Sequence, residues 1–588
     1  MKELQYLNKY FIKYKYRFLL GLFITIIAQI FSLFTPELIG NSIKVIEDYV
    51  KSSTKDVDLL KVSLLKNIFY ILITTIIAGF FTFLMRQTLI VMSRYVEFDL
   101  KNEIFNHYQN LSQSFYKRNR TGDLMNRISE DVGKVRMYVG PAVMYSLNTL
   151  MRFTIVVIYM YNISPKLTLY SLLPLPLLSY SIFKISSEIH KRSGAFQQNL
   201  SNLFSFTQEI FSGIRVIKAY AIETKKQKEF IDLTQQSKTK AMDLAKVNSL
   251  FGPLMILLIG LSNLVVVFVG GSMYMNGDPE IASIGVIAQF ILYINMLTWP
   301  VASLGWVSSL VQEAEASQKR INEFLKEEPE IKNTTTEHTK IDGTIAFENV
   351  SFTYEDTNIQ ALNNISFSIE KGKTLAILGK TGSGKSTILT LISRLYDTTS
   401  GHILMDNKSI KEVNLYDLRN QISVVPQDAF LFSDSIKNNI KFGNENATDE
   451  EVIEAAKKAV VHENIITFNE QYETVLGERG ITLSGGQKQR VSIARALIKN
   501  APILLLDDCL SAVDTETEET ILNNLLAYCK DKTTIIVSHR VSSAKNADQI
   551  IILEEGKIIE QGTHNQLLDK NGYYKQLYLK QLSEKEID

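Results

Sequence analysis

At 588 residues the chain is long enough for more than one domain, and its net charge of +1 combines two very different halves. A balance this close to neutral gives no support for nucleic-acid binding, which usually shows a basic patch. The cysteines are Cys509 and Cys529, so a disulfide framework is not expected and a reducing compartment is indicated. Residues 1–315 hold long apolar runs, whereas residues 340–588 have the composition of a soluble α/β protein.

The first half contains six apolar runs, each long enough for a helix that crosses a bilayer, which takes about 20 residues. Charge-free runs as long as the fifth and sixth seldom occur in soluble cores, so buried soluble helices are the weaker alternative. The sequence therefore predicts a polytopic α-helical membrane domain over residues 1–318, with cytoplasmic extensions. The six runs cover about Phe18–Thr35, Ile68–Met85, Tyr138–Ile163, Leu167–Phe183, Ser249–Met275 and Ile281–Leu310.

The distribution of Lys and Arg predicts the orientation of these helices, because both residues are in excess on the cytoplasmic side. Residues 1–17 carry five of them. The connections at about 86–137 and 184–248 are long and basic. The connection between the third and fourth runs and the connection between the fifth and sixth runs are short. We therefore expect both termini and both long connections in the cytoplasm, and the chain in the cytoplasmic membrane.

The two long connections show apolar residues at helical spacing, so the membrane helices are expected to continue into the cytoplasm. At each cytoplasmic turn a short segment could then touch a soluble domain. The candidates are Ser114–Gly122 (SFYKRNRTG) and Gly213–Tyr220 (GIRVIKAY). Two solvated connectors without such contacts are the alternative.

Arg152 lies near the middle of the third apolar run. A charge at that depth is costly and usually faces a polar partner or a water-filled cavity. One interpretation is that Arg152 pairs structurally with polar groups. The other is that it lines a cavity and favours anionic or zwitterionic ligands.

A charged, Thr-rich stretch at 319–344 is expected to be a linker to a second domain at 345–585. Strand-like runs alternate there with helical stretches, which indicates a mainly parallel α/β layer. These runs read TIAFENVSFTY, KTLAILG, HILMD, ISVVPQ, ILLLDD, TTIIVSH and QIIILEEGKII.

The strongest local signal is GKTGSGKST, which follows the strand TLAIL and precedes the helix ILTLISRLY, as a phosphate-binding P-loop requires. Glycines let backbone N–H groups surround phosphates, and the helix N-terminus adds positive potential. Lys385 is expected to reach the β- and γ-phosphates and Ser386 to bind Mg²⁺. The candidate ATP-binding residues are Gly379, Lys380, Thr381, Gly382, Ser383, Gly384, Lys385, Ser386 and Thr387.

The run ILLLDD at Ile503–Asp508 is an apolar strand that ends in carboxylates. In a P-loop domain such an acid lies beside the Mg²⁺ ion, and Asp507 is the candidate. Many buried strands end in Asp, so the pattern gains its weight from the P-loop upstream.

With these motifs in place, LSGGQ at Leu483–Gln487 resembles the signature of the ABC transporter family, in the manner of bacterial half-transporter exporters. The likeness extends over essentially the whole chain. By resemblance Tyr354 stacks on adenine, Gln427 is the Q-loop glutamine that approaches Mg²⁺, and His539 is the switch histidine. Gly477–Gly480 resembles the X-loop, Ser511–Asp514 resembles the D-loop, and Ser114–Gly122 and Gly213–Tyr220 lie in the two coupling regions.

The resemblance implies that two ATP molecules are held between two such domains, the P-loop of one facing the signature of the other. The signature would supply a serine hydroxyl and backbone N–H groups at a helix N-terminus, which suit a γ-phosphate. A second half-transporter is therefore the expected partner. The implied ATP contacts from this chain's signature are Ser484, Gly485, Gly486 and Gln487, and the implied catalytic residues are Asp508, His539 and Gln427.

One residue departs from the family pattern, which usually has Glu directly after the Mg²⁺ aspartate. This chain has Asp508, whose carboxylate is shorter by one C–C bond, or about 1.5 Å. A misplacement of about 1 Å can cost on the order of 10²-fold in rate. The sequence thus predicts slow hydrolysis at this chain's own P-loop and a heterodimer in which its LSGGQ completes a competent partner site. A slow homodimer is the alternative.

These features favour ATP-driven export of an amphipathic or hydrophobic substrate, drug-like or lipid-like, through the lipid bilayer. A homodimeric lipid or peptide exporter is a second candidate. An ATP-gated channel or regulator is a third, which Asp508 keeps open. Nucleic acid is not an expected partner.

Overall fold

The computed structural model describes residues 2–52, 56–477, 480, 483–510 and 515–585. The chain forms two compact units. The first comprises Met1–Gln109 and Gly122–Glu327, and the second Asn110–Thr121 and Glu328–Asp588. The short segment at 110–121 therefore belongs structurally with the second half of the chain.

The first unit is built from helices. A 3₁₀ turn at Glu3–Leu7 precedes them, and two π-helical turns, Arg127–Asp131 and Tyr138–Ala142, interrupt the series. Helix α4 alone among the first twelve lies in the second unit. In chain order the helices are α1 Asn8–Lys13, α2 Lys15–Lys51, α3 Val57–Asn110, α4 Gln113–Arg118, α5 Thr121–Asn126, α6 Val132–Met137, α7 Val143–Ile163, α8 Pro165–Leu172, α9 Leu175–Ser212, α10 Ile214–Ala219, α11 Glu223–Met275 and α12 Ile284–Leu325.

The six predicted membrane-spanning helices are confirmed: the described residues contain six helical stretches long and apolar enough to cross a membrane. Helix α3 has 54 residues and α11 has 53. At about 1.5 Å per residue each is about 80 Å long, far more than the ~30 Å hydrocarbon core. The stretches are Lys15–Lys51, Val57–Asn110, Thr121–Ile163, Pro165–Ser212, Glu223–Met275 and Ile284–Leu325.

Two glycines lie where the first and last spanning helices are in close contact. A Cβ atom at Gly285 on α12 would lie 2.1 Å from the carbonyl oxygen of Gly40 on α2. A Cβ at Gly40 would lie 2.8 Å from the carbonyl oxygen of Gly285. Helix packing in membranes uses small residues in this way, because they let backbones come close.

The second unit contains two sheets. Its six-stranded sheet has the order β10-β9-β3-β8-β7-β6, parallel except for β10, and its four-stranded sheet has the order β2-β1-β4-β5 and is antiparallel. The strands are β1 Ile345–Tyr354, β2 Ile359–Ile369, β3 Thr374–Gly379, β4 Ser400–Met405, β5 Lys408–Ser409, β6 Ile422–Val425, β7 Ile503–Asp507, β8 Thr533–Val537, β9 Gln549–Glu554 and β10 Lys557–Gly562.

The predicted parallel layer is therefore the larger sheet. Strands β3 and β8 are buried along their whole length, as expected for a parallel sheet covered on both faces. The runs TIAFENVSFTY and HILMD belong instead to the antiparallel sheet, a separate layer that the sequence did not distinguish. The run QIIILEEGKII divides into β9 and β10 at a turn with positive φ at Glu555 and Gly556.

Short helices complete the second unit and place loops at the carboxyl ends of the parallel strands, where ligands bind in open α/β sheets. A 3₁₀ turn lies at Gln471–Glu473. The helices are α13 Lys385–Ile392, α14 Leu415–Asn420, α15 Ile436–Lys441, α16 Asp449–Lys458, α17 His462–Ile466, α18 Gly485–Ile498, α19 Thr515–Tyr528, α20 Val541–Ala544, α21 His564–Asp569 and α22 Tyr573–Lys585.

Candidate functional site

The predicted P-loop connects the fully buried strand β3 to helix α13. Gly384 ends the loop with φ +98°, in the left-handed region that favours glycine. A Cβ atom there would also lie 2.2 Å from the carbonyl oxygen of Ala361, so no other residue fits without displacing β2. The loop geometry thus depends on glycine both for its backbone conformation and for its close packing.

Lys385 is the first residue of α13 and is almost fully buried at 6% exposure. Its Nζ donates to the carbonyl oxygens of Gly379 and Lys380, each at 2.8 Å, so the side chain curls back along the loop. Burial lowers the pKa of Lys385, and the nearby carboxylates of Asp508 and Asp507 oppose that shift. The ammonium therefore lies among the backbone groups that a phosphate chain would meet.

Ser386 and Asp507 bring a hydroxyl and a carboxylate together at the end of β7. The Ser386 Oγ donates to Oδ1 of Asp507 at 2.8 Å. Burial raises the pKa of Asp507, the bond from Ser386 opposes that shift, and the neighbouring Asp508 adds to it. Adjoining carboxylate and hydroxyl oxygens are the donor set that Mg²⁺ prefers, so these two residues fit the predicted metal site.

Asp508 has an uncommon backbone conformation, with φ +41° in the left-handed region. Its N–H donates to the carbonyl oxygen of Val537 at 2.9 Å, which ties the end of β7 to the end of β8. Non-glycine residues in this region are infrequent and cluster at active sites, where surrounding structure holds them. The hydrogen bond to Val537 therefore helps to hold Asp508 in its left-handed backbone conformation, where β7 and β8 end.

Most of the predicted site residues line one cavity of about 390 Å³. Gly379 and Lys380 contribute backbone oxygens to Lys385, while the Lys380 side chain pairs with Glu554 at 3.0 Å. Ser383 is buried within the loop. The predicted residues that line the cavity are Tyr354, Thr381, Gly382, Gly384, Lys385, Ser386, Thr387, Gln427, Asp507, Asp508 and His539.

Tyr354 lines this cavity from the antiparallel sheet, since it is the last residue of β1, whereas Asp507 is the last residue of β7 in the parallel sheet. Its hydroxyl lies 3.1 Å from Oγ1 of Thr387, and its ring packs edge-on against Phe352 and Tyr396. An aromatic ring held in place beside a P-loop can stack on the base of a bound nucleotide.

Lys117 also lines the cavity, and sequence reasoning did not identify it as a site residue. It lies on α4, and its Nζ is 4.3 Å from the centroid of the Tyr354 ring and 3.0 Å from Oδ2 of Asp356. Its neighbour Arg118 pairs with Glu330 at 2.7 Å. The one available signal was Ser114–Gly122, predicted as a segment that touches a soluble domain.

The signature residues lie elsewhere. Ser484 is the N-cap of α18: its hydroxyl accepts from the N–H of Gln487, and its own N–H donates to Oε1 of Gln487, which completes a capping box. The 14-residue helix thus presents its N-terminus at an exposed serine. Among the described residues that line the P-loop cavity, none comes from the signature: Ser484, Gly485, Gly486 and Gln487 are all outside it.

Two of the motifs fall on parts of the chain outside the described residues. The predicted D-loop at Ser511–Asp514 lies there entirely. Of the predicted X-loop, Gly477 and Gly480 are described, while 478 and 479 are not.

Comparison with known families matches two separate regions of the chain. Residues 18–301 match the ABC transporter transmembrane region, and residues 362–511 match the ABC transporter model. The chain is 35% identical over 591 residues to the multidrug resistance-like ATP-binding protein MdlA of Buchnera aphidicola subsp. Schizaphis graminum (strain Sg), with 100% of both chains covered. The chain belongs to the ABC transporter family.

Further similarities are found to another relative in sequence and to a solved structure in fold. The chain is 35% identical over 491 residues to the ATP-dependent lipid A-core flippase of Syntrophus aciditrophicus (strain SB), covering 83% of this chain and 81% of that protein. Its fold resembles that of a bacterial Atm1-family ABC exporter with ATP bound, with a TM-score of 0.79. That likeness has 24% sequence identity and covers 96% of this chain and 98% of the other.

As an ABC transporter, the chain is a multi-pass membrane protein whose ATP-binding domain is that of an ATPase coupled to transport. Nucleotide binding follows from the same assignment. ABC exporters of this type function as dimers. The membrane helices and the P-loop cavity therefore belong to one ATP-driven transporter.

The membrane half of this ABC transporter contains a second cavity, of about 640 Å³. Its lining is predominantly apolar, with three hydroxyl side chains. Oγ1 of Thr149 and Oγ of Ser303 lie 3.3 Å apart and connect α7 to α12. The lining residues are Ser146, Thr149, Leu150, Phe153, Leu172, Leu175, Pro176, Pro300, Ser303 and Val307.

Arg152 is not among the described residues that line this cavity, although Thr149 and Phe153 on the same helix are. Its Nε donates to Oε1 of Gln29 on α2 at 2.7 Å, and Gln29 in turn bonds to Asn148. A guanidinium in an apolar surrounding needs a polar acceptor, and Gln29 supplies one. The structure thus supports the interpretation of Arg152 as a partner of polar groups rather than as part of the cavity wall.

Proposed function

We propose that this chain is the weak-site subunit of a heterodimeric ABC exporter that moves amphipathic or hydrophobic molecules, drug-like or lipid-like, across the cytoplasmic membrane. The single observation that carries the proposal is Asp508 at the position where the family usually has Glu. In this account the chain binds ATP at its own P-loop, hydrolyses it slowly there, and supplies its signature to a competent partner site.

The predicted site residues in and around the P-loop cavity each have a proposed task in ATP binding or hydrolysis. Tyr354 stacks on adenine, backbone N–H groups of Gly379–Thr387 hold the phosphates, and Lys385 reaches the β- and γ-phosphates. Ser386, Asp507 and Gln427 hold Mg²⁺, which neutralises charge on the phosphate oxygens when bound. His539 contacts the γ-phosphate and positions the attacking water.

Asp508 is the proposed base that polarises the attacking water, and its reach limits the rate. Its carboxylate lies about 1.5 Å short of the position a glutamate would reach from the same backbone. The backbone cannot readily advance to compensate, because the Asp508 N–H is bonded to Val537 at 2.9 Å. A misplacement on the order of 1 Å can cost about 10²-fold, so binding is retained while turnover is slow.

The proposed partner contact is the exposed N-terminus of α18. Ser484, Gly485, Gly486 and Gln487 lie outside the chain's own P-loop cavity, yet they form an intact LSGGQ. A helix N-terminus with free N–H groups attracts phosphate. We therefore assign this signature to the γ-phosphate of ATP bound on the partner half-transporter.

The membrane cavity is the proposed binding site for the exported molecule. Its described lining contains no charged side chain, only apolar groups and hydroxyls, which suits a neutral or weakly polar amphipathic substrate. One relative is named for multidrug resistance and another as a lipid A-core flippase. Both names are consistent with a cavity that selects by apolar contact rather than by charge.

We also propose that both termini lie in the cytoplasm, from the Lys and Arg content of the N-terminal stretch and the two long connections. The proposed division is a membrane domain at 1–318, a linker at 319–344 and an ATPase domain at 345–585. The segments Ser114–Gly122 and Gly213–Tyr220 are proposed to couple the two domains. Contacts of Lys117 and Arg118 with Asp356 and Glu330 support the first of these.

The weak site is tested with the variant Asp508→Glu in the purified transporter. Photo-crosslinkable ATP identifies the nucleotide bound on this chain, and its hydrolysis is measured in a single turnover. We expect the rate to rise by about 10- to 100-fold, because the longer side chain recovers the lost reach. The matched control is Asp531→Glu, the same change at an exposed position in a turn. An unchanged rate would show that the short carboxylate does not limit hydrolysis.

A further inference from the structure

The last described helix, α22, reaches back to the loop that carries His539. Gln581 lies near the end of this helix. Its Nε2 donates to the carbonyl oxygen of His539 at 2.9 Å, and its Oε1 accepts from the N–H of Val541 at 2.8 Å. One side-chain amide therefore bonds to backbone groups on both sides of Arg540.

A primary amide suits this pair of backbone groups. The carbonyl of His539 needs a donor and the N–H of Val541 needs an acceptor, and the amide of Gln581 carries both side by side on one planar group. Both bonds are within the normal range of length. The geometry also fixes the orientation of the amide, since a flipped group would oppose donor to donor and oxygen to oxygen.

Helix α22 is anchored well enough to act as a brace. Tyr574 is fully buried and packs in a cluster with Val541, Ala544 and Leu567. Its hydroxyl lies 2.6 Å from Nδ1 of His564. The Glu560 carboxylate accepts from the N–H groups of Tyr573 and Tyr574 at the start of the helix. The helix thus has fixed contacts at its start, and Gln581 extends that anchoring to the His539 loop.

The same loop is held from a second side. Arg540 forms an ion pair with Glu518 on α19, and the Glu518 side chain is 4% exposed. Oγ of Ser542 and Oγ of Ser543 donate to the same carboxylate at 3.1 and 3.3 Å. The side chains after His539 are therefore fixed by α19, while the backbone at His539 itself is fixed by Gln581.

We propose that Gln581 is a positioning residue for ATP hydrolysis, which holds the backbone of His539 so that its imidazole meets the γ-phosphate. This rests on the role proposed above for His539, whose side chain lines the P-loop cavity. Gln581 itself is not among the described residues that line this cavity. It acts through the peptide groups that set where the imidazole lies.

The test is a set of variants in the purified transporter, assayed by single-turnover hydrolysis of photo-crosslinkable ATP on this chain. Gln581→Met keeps the shape and removes both bonds, and we expect the rate to fall about tenfold with half-saturating ATP unchanged, since displacements under 1 Å suffice for such losses. Gln581→Glu keeps only the acceptor, so it is expected to fall as well. Gln576→Met, the same change at an exposed site on α22, should match the wild type.

Combining these variants with His539→Ala separates the role proposed for His539 from the role proposed for Gln581. In His539→Ala the rate is expected to be low already, and adding Gln581→Met should cause no further loss. If His539→Ala alone leaves the rate unchanged, the role of His539 is wrong and the positioning role falls with it. If His539→Ala lowers the rate while Gln581→Met and Gln581→Glu do not, Gln581 is not a positioning residue. A Gln581→Met protein that fails to fold leaves Gln581→Glu to decide.

Discussion

At the scale of single residues, the groups proposed to bind and hydrolyse ATP are held in place by hydrogen bonds to neighbouring protein groups. Lys385 is curled against two carbonyl oxygens, Asp508 is tied to Val537, and Ser386 is bonded to Asp507. Each contact fixes a reacting group before nucleotide arrives, which is the preorganisation that catalysis by positioning requires.

Lys117 lies on α4 and lines this cavity. Its replacement should weaken the stimulation of ATP hydrolysis by transported molecules without abolishing ATP binding. In Lys117→Met the apolar stem remains, while the contacts with the Tyr354 ring and Asp356 are lost. We expect stimulation of ATP hydrolysis by transported molecules to fall several-fold, because a cation over an aromatic ring contributes about 0.5–2 kcal/mol. Stimulated and basal ATPase rates in reconstituted vesicles measure this.

The matched control for that variant is Lys408→Met, a lysine on the short exposed strand β5. It should leave both rates unchanged. Equal stimulation in Lys117→Met and the wild type would contradict a coupling role for the contact between α4 and Tyr354.

At the same scale, the sequence predicted residues whose function is encoded in a local motif. The P-loop and Asp507 were predicted because each follows a strand in a recognisable context, whereas Gln427 and His539 were predicted from the resemblance to the family's motifs. The structure brings residues of all four to one cavity. Lys117 and Gln581 could not be found this way. Each meets its partner across a long separation in sequence, and a lone Lys or Gln on a helix carries no local signature.

At the scale of elements, the glycine contact between α2 and α12 is the most demanding packing feature of the membrane unit. Gly285→Ala places a methyl group against the Gly40 carbonyl, where the available distance is 2.1 Å. Backbone must move, and overpacking of this kind costs about 1–3 kcal/mol. We expect a lower thermal unfolding midpoint for the purified protein in detergent.

Gly271→Ala on α11 is the control, because a Cβ atom there meets nothing within 4 Å. It should leave the midpoint unchanged or raise it slightly, since Ala has the higher helix propensity. A Gly285→Ala protein as stable as Gly271→Ala would show that the two helices separate without cost.

The elements that the sequence missed have a physical reason. Strand β2 contains NNIS in its middle, and its polar residues obscure the alternation that marks a strand. It forms because β1 pairs with it along most of its length. Likewise, Arg152 turned out to bond to Gln29 of another helix, a choice that depends on how α2 and α7 pack and not on the sequence around Arg152.

At the scale of the whole molecule, the proposed function gives this chain one half of each of two different nucleotide sites. Its P-loop cavity includes none of its own signature residues among the described lining, and its signature is an exposed helix N-terminus. In a heterodimer the weak site uses this P-loop and the strong site uses this signature. Damage to the two motifs should therefore have unequal effects on turnover.

The most direct test of this account compares steady-state ATP hydrolysis by the assembled transporter carrying either Ser484→Arg or Lys385→Met. Ser484→Arg blocks the signature that serves the competent partner site, so we predict loss of nearly all turnover. Lys385→Met damages only the slow site, so a large part of the activity should remain. The control Thr448→Arg disrupts the comparable capping box of α16 and should have little effect. Equal loss in the two variants, or a greater loss in Lys385→Met, would contradict the account.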